Sequence, residues 1–451
     1  MEALNFDLFD LEAPEESLAL PSLESLGWKP RFTSPAALKP IADIPRSNYR
    51  IRPEDVLYPA GAKHKIAANI TAIRLLKELE HSGRSPSDDE CRQLIQYSGW
   101  GGIPQAFDPD RQEFAREYEE LKAALTVQEY VSARASTLNS HYTPKFLIEF
   151  LWKIAEKAGI AGGEFGEFGA GVGHFIGMMP EQIRGRFTAV EIDDISGRIM
   201  RQLYPNERII IDDLAKTLIK RNSLDLVIGN VPFDQVGPHD SDYVGYNLHN
   251  YCIARALDAL KPGGLAILLT TASTMDSKSV NARGNFASRA ALLAAIRLPN
   301  TAFEEVGTEV VADILIFQKG AENREKFLEL QAIETPDRTG IMRVNEYFAA
   351  HPEMVLGIPS NTGKMYGRGG NATILPFSRP LTELLTVPEL AVQQVEQPEP
   401  DLFGDTGEQP LEVELPYPMR EYTLFQFDNR IWQCRNHRGV LFTDRNGREF
   451  S

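Results

Sequence analysis

The stretch Leu224-Asp-Leu-Val-Ile-Gly-Asn-Val-Pro-Phe233 decides how this chain is read. Its apolar run is a buried strand, and it delivers Asn230 and then Val231-Pro232-Phe233 to the strand's C-terminal tip. Open α/β sheets bind their ligands at such tips. Upstream, Glu167-Phe-Gly-Ala-Gly-Val-Gly-His-Phe175 is a glycine-rich turn between a strand and a helical stretch. Glycines there let backbone amides approach a ligand. Gly171 and Gly173 are followed by Ile176 where a dinucleotide fingerprint places its third glycine, and the register from Gly169 puts His174 there. Both registers fail, which disfavours a nicotinamide site. Glu191 closes the strand Phe187–Ile192 and lies 20 residues beyond Gly171, the separation at which an acid reaches the hydroxyls of a bound ribose. Asp212 and Asp213 end the next run, Ile209–Leu214. Either could accept from an adenine amino group, and both could instead cap the next helix.

Outward from these motifs, short β-like runs alternate with helical patterns. The runs are Phe187–Ile192, Arg208–Ile211, Leu224–Gly229, Leu265–Thr270, Leu293–Leu298 and Val310–Gln318, with helices at Ile195–Leu203 and His249–Leu260. Such alternation predicts a mostly parallel sheet covered on both faces. The last two runs are too close for a crossover helix, so they form an antiparallel pair at the sheet's end. The fold class is therefore α/β, a Rossmann-like doubly wound sheet with a terminal antiparallel hairpin, the variant typical of S-adenosylmethionine enzymes. Helices are expected at Asn69–Glu80, from Ser85 to about Tyr97, and from about Asp110 to Ala124.

Methylation of an exocyclic amine suits the first stretch. The nitrogen lone pair is delocalised into the base. Hydrogen bonds from its N–H groups to the Asn230 side-chain oxygen and the Val231 carbonyl would draw it toward tetrahedral geometry. Pro232 fixes the turn, and Phe233 offers a face for a flipped base. Catalysis of this kind is mostly positioning and asks for no metal. His141, His239 and His249 lack metal-ligand spacing and read as surface or polar-core residues.

In these residues the chain resembles the amino-methyltransferases that make N6-methyladenine in DNA, whose motif is Asn/Asp-Pro-Pro-Tyr/Phe. The resemblance implies a donor site for S-adenosylmethionine at Glu167, Gly169, Gly171, Gly173, Glu191 and Asp212, with Tyr142 and Thr143 of His141-Tyr-Thr-Pro144 as a further contact. More broadly, residues from about Tyr49 to Gly357 resemble the methylase module of large methylase–helicase proteins of phages and conjugative elements. Tyr97-Ser-Gly-Trp-Gly-Gly-Ile-Pro-Gln105, Gly177-Met-Met-Pro180 and Ala295-Ile-Arg-Leu-Pro-Asn-Thr-Ala-Phe303 carry that likeness. It implies a site-specific adenine DNA methyltransferase, with DNA as partner and any helicase on a separate chain. This chain departs from the pattern in reading Asn-Val-Pro-Phe, and in the polar strand Glu164-Phe-Gly-Glu-Phe168. The same residues could serve cytosine N4, an RNA adenine or a protein glutamine amide. A catalytically silent DNA- or partner-binding module is the alternative of another class.

Composition bounds the rest. The 451 residues are 43% hydrophobic, ample for a core. The three cysteines (Cys91, Cys252, Cys434) have no CxxC spacing, which suits a reducing cytosol. No run approaches the ~20 apolar residues of a membrane span, so a cytoplasmic protein is expected. Net charge is −16, and the segment from Pro388 to Pro418 holds eight acids with no Lys or Arg. Such a balance disfavours tight non-specific nucleic-acid binding. The expected organisation is a disordered acidic tail (1–48), a helical subdomain (49–130), the methyltransferase domain (131–320), a mixed accessory segment (321–387), an acidic disordered linker (388–418) and a small β-hairpin element (419–451). Asn5-Phe-Asp-Leu-Phe9 in the tail resembles peptides that bind bacterial sliding clamps, with a fainter echo at Asp401-Leu-Phe403.

Overall fold

The computed structural model describes residues 47–138, 142–234, 237–238, 240, 242–363, 372–396, 412–414, 424–427, 430–435 and 438–441. The clamp-like stretch Asn5–Phe9, Asp401–Phe403, His141, His239 and nearly all of the tail lie outside them. The chain divides into two units: residues 45–398, and residues 1–44 with 399–451.

The larger unit is built on a seven-stranded sheet: β1 (Gly162–Phe168), β2 (Arg184–Glu191), β3 (Arg208–Ile211), β4 (Leu224–Asn230), β5 (Leu260–Thr271), β6 (Ala290–Arg297) and β7 (Ala312–Lys319). Their order is β3-β2-β1-β4-β5-β7-β6. β7 lies antiparallel between β5 and β6, while the pairs among β1 to β5 are parallel. This is the Rossmann-like arrangement expected, with the late strand inserted next to the edge. β1 forms despite its polar residues, because Phe165 and Phe168 are buried on opposite faces.

The two faces follow from the two-residue period of strands. Leu265, Ile267 and Leu269 of β5, with Ile314 and Ile316 of β7, enter one core; Ala266, Leu268, Leu315 and Phe317 enter the other. The first core also takes the N-terminal helices α1 (Ala62–Ser82), α2 (Asp88–Leu94), α3 (Ala115–Ala124) and α4 (Val127–Ala135). α1 buries Ile66, Ile70, Ile73, Leu76 and Leu79, one stripe at helical spacing. It starts seven residues before the apolar pattern expected from sequence. The helical segment thus shares a core with the sheet. α4 was not expected: only Ala133 is buried on it, and Val127 and Val131 face solvent, so it lacks an apolar stripe. Further helices are α5 (Lys145–Lys157), α6 (His174–Gly177), α7 (Asp194–Leu203), α8 (Leu248–Ala259), α9 (Ser273–Asp276) and α10 (Asn281–Ala287).

The accessory segment adds a hairpin of β8 (Leu330–Glu334) and β9 (Ile341–Asn345), the helix α11 (Glu346–Ala350), and a pair formed by β10 (Ile358–Ser360) and β11 (Thr373–Leu375). It docks on a buried ionic cluster. Arg297, 1% exposed, donates to Asp313 at 2.8 and 2.9 Å and to Asp276 at 2.6 Å, and stacks 4.2 Å over the Phe348 ring of α11. Asp276 also accepts from the Asn345 amide.

Segment 388–418, expected to be a solvated linker, departs from that reading twice. Gln393 and Gln318 exchange hydrogen bonds of 2.8 Å in both directions, Gln393 through its backbone, which ties residues near 393 to the end of β7. Leu390 packs against the first core nearby, so apolar contact and satisfied amides act together. In the smaller unit, β12 (Glu412–Glu414) pairs with β15 (Arg438–Leu441) in an antiparallel sheet, ordered β12-β15-β14-β13 with β13 (Leu424–Phe427) and β14 (Arg430–Arg435). The turn residues Asp428-Asn429 and Asn446-Gly447 lie outside the described residues. Among the described residues no helix is long and apolar enough to cross a membrane.

Breaking a buried ion pair from one side strands the other charge, at a cost of about 3–5 kcal/mol. Asp313→Ala should lower the unfolding free energy by about that amount in urea titration. A loss below roughly 1 kcal/mol would show that the remaining Asp276 partner satisfies Arg297 without Asp313.

Candidate active site

The C-terminal tips of β1 to β4 open into one cleft of 370 Å³, within the size range of sites for small ligands. Its floor is the turn after β1. Gly171 and Gly173 have φ of +58° and +78°, the left-handed region that favours glycine. A Cβ on Gly173 would lie 2.6 Å from the Tyr204 ring, and one on Gly171 would lie 3.2 Å from the Tyr142 ring. The turn is thus pressed between two aromatics with no room for a larger residue.

Glu191 is the fastening of this turn. Parallel pairing sets Phe168 opposite Val190, so the tip of β2 stands beside the turn. Glu191 Oε2 accepts from the Gly171 amide at 2.7 Å and Oε1 from the Asp193 amide at 2.8 Å. The side chain is buried, and burial with the neighbouring Asp193 charge pushes its pKa up to about 7. Asp193 caps α7 by accepting from the Ser196 amide. Asp212 and Asp213 both line the cleft. Asp212 accepts from the Asp213 amide and Asp213 from the Ala215 amide within the turn after β3; no helix lies between β3 and β4, so the expected helix-capping role is not found.

Tyr142 and Thr143 form another wall. The Tyr58 hydroxyl donates to the Thr143 carbonyl at 2.8 Å and lies 3.0 Å from His174 Nδ1, while His174 Nε2 lies 2.8 Å from the Ile95 carbonyl. Burial pushes His174 down to about 4. His174 is therefore a neutral strut between the helical segment and the glycine turn. His249 is wholly buried, with Nε2 3.2 Å from the Ser273 hydroxyl, a polar-core histidine.

Of the four residues at the β4 tip, the structure brings two to the cleft. Asn230 and Pro232 line it. Val231 turns its side chain into the second core, with its amide donating to the Leu269 carbonyl. Phe233 is half-buried against both cores and is not among the lining residues. Glu167, Gly169 and Gly171 line the cleft, whereas Gly173 lies behind it as the N-cap of α6.

Sequence reasoning missed three parts of the wall. Ser132, Ala135 and Ser136 come from α4 and the turn after it, which carry no apolar periodicity. Leu248 and Cys252 face the cleft from α8, four residues apart and so on one side of the helix. Asp193, two residues beyond Glu191, was not singled out in the sequence. In sum, five carboxyl groups line the cleft (Glu167, Glu191, Asp193, Asp212 and Asp213) with no Lys or Arg. Such a lining favours a ligand with positive charge and opposes a polyphosphate. Among the described residues no group of three or more His, Cys, Asp or Glu is placed to hold a metal ion.

The raised Glu191 carboxyl has a consequence for stability. An ordinary glutamate ionises near 4.3; in the folded chain Glu191 keeps its proton up to about 7. Between those values the folded state binds more protons than the unfolded one, so its stability falls as pH rises, by on the order of 3 kcal/mol across the window. Glu191→Gln removes this contribution, so its melting temperature should fall less than wild type between the two pH limits. Coincident slopes for the two proteins would contradict it.

No family model matches the sequence. The chain is 29% identical over 267 residues to the Defense against restriction protein B of Escherichia phage P1, which covers 57% of this chain and 10% of the phage protein. The chain thus spans about a tenth of the length of that curated relative. Among solved structures, a Listeria monocytogenes chain assigned to the class I S-adenosylmethionine-dependent methyltransferases superposes with a TM-score of 0.37 at 16% identity, covering 59% of this chain and 91% of the other. The M protein of the type I restriction enzyme EcoKI superposes with a TM-score of 0.35 at 13% identity, covering 58% and 62%.

Proposed function

We propose that this chain is an S-adenosylmethionine-dependent methyltransferase that acts on the N6 amine of adenine in DNA. The observation that carries the reading is one cleft bounded by the Gly169–Gly173 turn, Glu191, Asp212 and the Asn230-Val-Pro tip. The cofactor would be held by residues of this chain that fit its parts: Glu191 for the ribose hydroxyls, Asp212 or Asp213 for the adenine amine, and the acidic floor for its cationic portion. The absence of Lys or Arg from the lining supports a cationic donor over a dinucleotide, whose pyrophosphate would meet no cationic side chain there. When bound, the donor supplies an electrophilic methyl group.

The chain's own contribution is positioning and polarisation. The Asn230 side-chain oxygen and the Val231 carbonyl accept from the two N–H groups of the target amine, which concentrates its lone pair on nitrogen. Pro232 holds the turn in one conformation. Phe233 sits outside the donor cleft, beyond the same tip, where a base extruded from the duplex would meet it. The name of the phage relative refers to restriction, which supports DNA as the substrate class.

Asn230→Ala should lower the methylation rate by roughly a hundredfold or more, while donor binding by calorimetry stays within a few-fold of wild type. The readout is mass analysis of nucleosides from DNA incubated with labelled donor and the full chain. N6-methyladenine is the expected product; N4-methylcytosine would overturn the substrate. Donor binding without any methylation of nucleic acid or protein would favour a silent binding module.

A further inference from the structure

The β8–β9 ribbon stands on the tip side of the sheet, one strand along from the β4 tip. Leu269 of β5 lies opposite Asn230, and Ala272, three residues on, donates its amide to the Val311 carbonyl at 3.1 Å. Met342 and Val344 of β9 share a small core with Ala272 and Val311. The Asn345 amide donates to Asp276, and its side chain to the Met275 carbonyl, each at 2.9 Å. This seating uses the inner face of the ribbon alone.

The outer face follows from the alternation of strand residues. Arg343 lies opposite Ala332 there, and Ile341 opposite Glu334. Arg343 is exposed, and Ile341 is 70% exposed. At the far end Arg338 has a φ of +60°, which few residues other than glycine adopt. Hydrogen bonds hold the turn in that shape: Asp337 accepts from the Thr339 amide at 3.1 Å and hydroxyl at 2.6 Å, and Thr339 Oγ1 accepts from the Asn361 amide at 2.9 Å. The turn therefore presents Arg338 outward. Among the described residues neither guanidinium forms an ion pair. Arg283, Arg289 and Arg297, by contrast, are all bonded to carbonyls or carboxylates. Neighbouring acids are already engaged: Asp337 by Thr339, Asp276 by Arg297, and Glu346 by the Leu328 and Glu329 amides. That leaves Glu334 as the acid of the outer face.

We propose that this ribbon enters the major groove of the DNA duplex beside the target base and reads base edges there. Arg338 at the tip and Arg343 on the face address guanine, and Ile341 meets a thymine methyl. The inference rests on the DNA reading above and adds the place where sequence is read. Two strands about 5 Å apart fit a groove about 12 Å wide. From Asn345 to Arg338 the ribbon reaches roughly 20 Å from its seat beside the β4 tip. The forked guanidinium matches guanine O6 and N7, and a branched apolar side chain matches the thymine methyl. A chain of net charge −16 gains little from phosphates, so its discrimination has to come from base edges.

The test is selection of bound sequences from a pool of random DNA duplexes by the full chain, with affinities from fluorescence anisotropy. Wild type should enrich a defined sequence. Arg338→Gly removes the side chain but suits the turn's backbone, so its melting temperature should equal or exceed that of wild type. Arg338→Gly and Arg343→Ala should each lose preference at one position and bind the selected duplex about ten- to a hundredfold more weakly. Donor binding and affinity for unselected DNA should stay within a few-fold of wild type. Arg343→Lys keeps the charge without the fork and should behave like Arg343→Ala. An unchanged selected sequence overturns the inference, including when the variants alter only self-association of the chain. Equal weakening on every sequence, with the salt dependence reduced by about one ion, marks phosphate contact and also overturns it. Either result leaves the proposed function standing. Failure of wild type to bind or methylate duplex DNA, or a preference for RNA, would instead remove the DNA reading and this inference with it.

Discussion

The hydrogen bond from the Gly171 amide to the Glu191 carboxylate joins the two halves of the site. It exists because parallel pairing of β1 and β2 brings the second strand's tip beside the first strand's turn, and because glycine reaches a backbone conformation most residues avoid. Remove the parallel register and Glu191 leaves the cleft; fill either glycine and the turn meets an aromatic ring. Burial raises the energy of the charged acid, and the amide donors recover part of it. The site is therefore a strained electrostatic arrangement supported by an apolar sheet.

That support was largely legible. Alternation of apolar runs gave the strands from Phe187 onward, and the short link between the last two gave their antiparallel sense. Less legible were features whose stabilisation is not apolar. β1 carries glutamates and glycines along most of its length, and its strand character rests on two buried phenylalanines. α4 and the Gln393–Gln318 exchange rest on hydrogen bonds and ion pairs between residues far apart in the chain, which no local pattern announces. A charge count over Pro388–Pro418 cannot see an amide that matches a partner 75 positions away.

Within the site, spacing located what a strand tip presents and failed where side chains turn. Glu167, Glu191, Asp212 and Asn230 converge because each ends a neighbouring strand. Val231 follows Asn230 directly, yet its side chain is buried in the second core, since successive residues of an extended chain point opposite ways. The acidic character of the cleft was hidden in the total charge. Half of the chain's excess lay in plain view between Pro388 and Pro418, whereas the acids lining the cleft are scattered over some fifty residues of sequence.

α4 forms part of the cleft wall while burying a single alanine. Its attachment runs through Glu129, which accepts from Lys77 at 2.6 Å, from Arg198 at 2.9 Å and from the Thr126 amide at its own N-cap. Contacts of that kind weaken as mobile ions accumulate, whereas the sheet beneath is held by area that salt leaves intact. The ionic strength of the surroundings therefore acts on the two sides of the same chamber unequally, loosening one panel over an unmoved base.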